Sequence, residues 1–134
     1  MTKDTLQLDI EVQGDLLLAT ARGAASFDAA LVAVKQVLDA AAKHQLSRIL
    51  VDTLAVEGVL TAMESYDLAL EAVSHANQST MNPKIAIVGT PPTSDGFFCC
   101  VAQNRGLITE LFPTRQHALR WLEAWRKSAS VFKR

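Results

Sequence analysis

The sequence predicts an α/β domain built on a mixed, mainly parallel five-stranded sheet, with its elements in the order ββαβαβαβα. Three features predict it. Leu6, Leu8, Ile10 and Val12 alternate with Gln7, Asp9 and Glu11, the period-two pattern of a half-buried strand. Ile49-Leu50-Val51 and Ile85-Ala86-Ile87-Val88 are short continuous apolar runs, which suit strands covered on both faces. Segments with helical periodicity separate the later strands, and such alternation implies right-handed crossovers in a parallel sheet.

In chain order, Gln13-Gly14-Asp15 forms a tight turn and Leu16 to Ala21 is the returning strand, so the domain opens with a hairpin. Ser26 is an N-cap, with Asp28 in the first turn where the helix dipole favours a negative charge. Phe27, Leu31, Val34, Leu38 and Ala41 then share one helical stripe that runs to about His44. A strand over Arg48 to Asp52 leads into a loop containing Glu57-Gly58. Thr61-Ala62-Met63-Glu64 matches a capping box, opening a helix through Tyr66, Ala69, Leu70, Val73 and Ala76. Asn82-Pro83 ends that helix, and Lys84 to Val88 is the next strand. The stiff stretch from Thr90 to Asp95 ends in capping residues before a helix over Gly96 to Arg105, with Gly106 where a left-handed cap belongs. Leu107 to Phe112 is the last strand. Pro113-Thr114 introduces a final helix bearing Ala118, Trp121, Leu122 and Trp125 along one side. Residues 1–127 form one domain, and 128–134 a basic tail that frays.

The composition fits a globular protein: 134 residues, 49% hydrophobic, 20% charged, and a formal charge of −1. A chain of this length buries roughly two-thirds of its unfolded surface, enough for a core without metal or disulfide. The near-neutral charge offers no global attraction for nucleic acid or an anionic membrane. The N-terminus lacks the apolar core of a secretory signal, and Leu16-Leu17-Leu18-Ala19 falls far short of the roughly 20 residues that span a bilayer. Cys99 and Cys100 are sequence neighbours, and a bridge between them would close a strained ring. Two reduced, packed thiols and a cytoplasmic location are therefore expected.

Motifs for catalysis are missing. The sequence holds no G-x-S-x-G elbow, Walker loop or G-x-G-x-x-G. His44, His75 and His117 share no spacing that would place two of them on one metal, so no metal and no cofactor are expected. Asp52 and Thr90 end neighbouring strands, as in receiver domains of two-component systems. A receiver also needs an acidic pair after its first strand and a lysine after its last; here the first strand enters a hairpin and the last ends in Phe112-Pro113-Thr114. Asp52 is accordingly assigned to capping a turn. An enzymatic site would have to bring together groups such as Asp52, Thr90 and His75. Arg126 and Lys127 suit the negative carbonyl end of a helix, and Trp121 and Trp125, four apart, suit core packing.

Ile49-Leu50-Val51-Asp52, Glu57-Gly58, Lys84-Ile85-Ala86-Ile87-Val88, and Phe112 followed by Ala118-Leu119-Arg120-Trp121-Leu122 resemble the SpoIIAA-like group of STAS-type domains. The resemblance spans about residues 6 to 126. It implies a regulatory or scaffold domain rather than a catalyst. In anti-sigma-factor antagonists of this kind, a kinase phosphorylates a serine in an Asp-Ser-Ser-Gly motif at the start of the helix after the third strand. The matching stretch here is Leu60-Thr61-Ala62-Met63, which makes Thr61 the candidate phosphoacceptor, although the flanking residues of the motif differ.

The expected function is therefore that of a non-enzymatic interaction domain. Val56, Val59, Leu60 and Met63 cluster in a connecting segment and are the candidate residues for a protein partner. A homodimer is the default assembly. The alternative is a small-molecule or lipid-binding domain, since some relatives of this fold are grouped with lipid carriers. Phe97, Phe98 and Trp121 would then line an apolar pocket.

Overall fold

The computed structural model describes residues 6–79 and 82–132, with side chains described through residue 124. The elements are β1 (Gln7–Gln13), β2 (Leu16–Ala24), α1 (Phe27–His44), β3 (Arg48–Glu57), α2 (Ala62–Ala76), β4 (Lys84–Val88), α3 (Phe97–Asn104), β5 (Ile108–Phe112) and α4 (Arg115–Phe132). The order matches the one the sequence predicts. The strands lie side by side as β1-β2-β3-β4-β5, with β1 antiparallel to β2 and every other pair parallel.

Local chemistry sets most boundaries. Gly14 takes φ +62° to close the hairpin, where Gln13 pairs with Leu16. Ser26 accepts from the Ala29 amide at 3.2 Å, and Gln45 ends α1 in the left-handed region. The capping box of α2 is complete. Glu64 N–H donates to Thr61 Oγ1 at 3.1 Å while Thr61 N–H donates to Glu64 Oε1 at 2.9 Å. Asp95, just before α3, accepts from the Phe97 amide at 3.1 Å, and Thr114 accepts from the His117 amide at the start of α4 at 3.2 Å.

The sheet separates two cores. On one face, Leu17, Ile49 and Ile85 pack against Val37, Leu38 and Ala41 of α1, Ala69, Ala72 and Val73 of α2, and Val101 and Ala102 of α3. On the other, Leu18, Leu50, Ala86 and Val88 pack against Ala118 and Leu122 of α4. The alternation along β2 and β3 produces this split, because neighbouring residues on a strand point to opposite faces.

The ends of β2, β3 and α4 depart from the sequence reading, β2 running on to Ala24. β3 continues past Asp52 to Glu57, so Val56 is a strand residue rather than a loop residue. β4 stops at Val88 opposite Asp52, and beyond that point β3 pairs with β2 alone, Ala55 with Arg22 through Glu57 with Ala24. A strand edged on one side by loop carries less of the apolar signature of a central strand. The pairing also shifts between Thr20 and Arg22: Thr53 and Leu54 together face Ala21. This is a β-bulge, and its extra residue reverses which side chains face which core. α4 runs to Phe132, into the stretch assigned to a tail. The side chains of Trp125, Arg126, Lys127 and residues 128–134 lie outside the described residues.

Candidate functional site

A set of polar interactions surrounds the bulge in β3. Among the described residues, Asp52 and Thr109 are the two buried polar ones. Its Oδ1 accepts from the Leu54 amide at 2.9 Å, which ties down the bulge, and its Oδ2 accepts from Arg115 Nε at 2.5 Å. Arg115 also donates to Thr20 Oγ1 at 3.2 Å. A cation in the first turn of a helix opposes the dipole, so Arg115 is misplaced by local rules. The buried carboxylate compensates for it. Sequence reasoning assigns Asp52 only a turn cap and misses Arg115; that misplaced cation is the available signal.

On the opposite face, the loop after β4 docks against the overhanging end of β3. Thr53 Oγ1 donates to the Val88 carbonyl at 2.8 Å and lies 3.3 Å from Ser94 Oγ. Thr93 Oγ1 donates to the Val56 carbonyl at 3.5 Å. Gly89 permits this closure, since a Cβ there would stand 2.6 Å from both Ser94 Oγ and Thr53 Oγ1.

The loop, the overhang and the helices line an apolar cavity of about 200 Å³, partly open to solvent, between the sheet and α1 and α2. Phe98 lines it, together with Val56 and Leu60 from the expected partner segment. Phe97 is exposed and takes no part in the lining, and Trp121 packs on Phe112 on the other side of the sheet with ring centroids 5.5 Å apart. The three residues named for one pocket are therefore divided between two faces. The cause is that Trp121 belongs to α4, which covers the opposite core.

The partner segment is divided too. Val56 and Leu60 are half-buried, whereas Val59 and Met63 are 60% and 67% exposed. Thr61, between them, is exposed and holds the capping box. Asp52 and His75 face opposite sides of the sheet, His75 pairing with Asp39 on α1 at 2.7 Å. The catalytic grouping of Asp52, Thr90 and His75 is thus not assembled. Among the described residues no group of three or more His, Cys, Asp or Glu side chains is placed to hold a metal ion. No described helix is long and apolar enough to cross a membrane.

Both cysteines are free thiols, but only Cys99 is packed; Cys100 is exposed. Burial pushes the Cys99 thiol up to about 11, against the opposing effect of its contact with Thr109 Oγ1.

The fold defined by this topology is SpoIIAA-like, in agreement with the sequence resemblance. An anti-sigma factor antagonist from Mycobacterium paratuberculosis superposes with a TM-score of 0.62 at 16% identity, over 90% of this chain and 96% of that one. An uncharacterized protein of the DUF3478 family with a SpoIIAA-like fold, from Shewanella loihica PV-4, superposes with a TM-score of 0.54 at 19% identity, over 88% of this chain and 93% of that one. No family model and no curated protein matches the sequence.

These contacts set two expected outcomes. Arg115→Ala leaves a buried carboxylate short of its cation and lowers unfolding free energy by about 1–2 kcal/mol, the half-exposed guanidinium moderating the loss; urea titration measures it. The Cys99 thiol titrates higher in the folded chain than in the unfolded one, so folding favours its protonated form. Its contribution is whole below pH 9.0 and is lost as pH rises toward about 11. Unfolding measured on both sides of that window shows an alkaline decline that Cys99→Ala reduces.

Proposed function

We propose that this chain is a non-enzymatic regulatory interaction domain that binds a protein partner through the segment from Val56 to Met63. The observation that carries the reading is the exposure of Val59 and Met63 on either side of the α2 cap. Apolar side chains held outward on a rigid element can bury area against a partner at little cost in ordering. The capping box fixes the start of α2, and the β3 overhang fixes the chain that enters it. Val56 and Leu60 anchor the segment from within while Val59 and Met63 offer the contact. The likeness to an anti-sigma factor antagonist supports a regulatory role.

Thr61 is the phosphoacceptor in this proposal. Its Oγ1 receives the Glu64 amide, so a phosphate placed there displaces that bond and sets a dianion beside the Glu64 carboxylate. The modification would loosen the first turn of α2 and so alter the surface.

The test is photo-crosslinking from a residue-59 probe in the native host, followed by titration of the captured protein against purified variants. Val59→Asp with Met63→Asp weakens binding by about tenfold or more, as expected for removal of central apolar contacts, while the melting temperature holds. Unchanged affinity in the double variant defeats the reading. Capture of a second copy of the chain would identify the partner as itself, and sedimentation of the same variant then reports the loss.

A further inference from the structure

We infer that the cavity between the sheet and α1 and α2 is a binding site for a small neutral apolar molecule carrying one hydrogen-bond donor, such as an alkylphenol. Its size is the first argument. At about 200 Å³ it exceeds the engineered apolar cavity of about 150 Å³ that admits benzene. A cavity of that volume costs stability in a domain of this length, because lining atoms lose packing partners. Its walls are apolar along most of their extent, from Leu8 on β1 to Ile87 on β4.

The polar groups of the lining select the ligand's chemistry. They gather where β3 passes the end of β4, as Thr53, Thr93, Ser94 and Asp95, with Ser65 on α2. Thr53 uses its proton on the Val88 carbonyl, so in its contact with Ser94 the serine must donate. Thr93 uses its own proton on the Val56 carbonyl. Three of the four hydroxyls in the lining thus have their protons committed and only acceptor lone pairs left to offer, and Asp95, half engaged by the Phe97 amide, adds a carboxylate. No Lys, Arg or His is among the described residues that line the cavity. An anionic headgroup at this polar end would sit without a cation and beside the Asp95 carboxylate, which is unfavourable. A hydroxyl or N–H on an apolar body meets every requirement. The chemistry therefore discriminates against fatty acids and favours phenols and alcohols.

The site is separate from the exposed pair Val59 and Met63. Calorimetric titration of the wild-type chain with 4-ethylphenol, 4-ethylbenzoate and ethylbenzene tests it without any variant. The phenol binds with a Kd below about 1 mM and the benzoate at least about tenfold more weakly. Thr53→Val weakens the phenol by about three- to tenfold and leaves ethylbenzene unchanged. Ala33→Phe, at a half-buried position on α1, fills the cavity and abolishes binding of both. Val59→Asp with Met63→Asp leaves phenol binding intact, which separates this site from the docking surface. Equal affinity for benzoate and phenol, absence of phenol binding at about 1 mM, or phenol binding that survives Ala33→Phe overturns the inference.

Discussion

A buried carboxylate organises the end of the sheet. Asp52 accepts from the Leu54 amide and from Arg115, joining the bulge of β3 to the first turn of α4. Without a bulge, strand alternation would set Ala55, not Val56, on the same face as Val51 and Thr53. The extra residue reverses that parity, and Val56 joins the cavity wall while Ala55 aligns with Arg22. The interaction thus ties the bulge to α4 at the point where the chain leaves the sheet on its way to α2. It is also economical in burial, since the carboxylate is satisfied by a backbone amide as well as by a cation.

That geometry leaves a short path with two kinds of surface. Val56 and Leu60 turn inward to the cavity, and Val59 and Met63 turn outward. The Thr61–Glu64 box holds the path rigid where it enters α2. On the far side, the Thr53–Ser94 contact and Gly89 bring the loop after β4 against the same overhang. The overhang is therefore supported by β2 and by a loop, with no second strand beside it among the described residues.

Much of this architecture is written in local patterns. The apolar runs in β3 and β4 and the Ser26 and Thr61 caps each obey short-range rules, and the folded chain keeps them. The alternation in β1 yields the strand but not its half-buried face, since Leu8 is half-buried while Ile10 and Val12 stand exposed on the sheet's outer strand. Where the structure departs from those rules, a long-range interaction decides. Nothing near Thr53 in sequence says that β2 would extend to pair beyond it, or that a bulge would reverse the parity there. The Asp52–Arg115 pair joins residues 63 apart, so its two ends look unrelated until the fold brings them together. Trp121 and Phe98 are both large apolar residues near the C-terminal half. Only the placement of α4 on the opposite face shows that they never share a pocket. Cys99 and Cys100 likewise differ by a helical step of one, which is enough to send one inward and one out.

Hydrogen–deuterium exchange on the chain with and without its captured partner addresses the account most directly. Amides from 56 to 63 should gain protection in the complex, while those of the β1–β2 hairpin and of α4 stay as they are. Protection confined to the hairpin edge or to α4, with the 56–63 stretch unchanged, would contradict it.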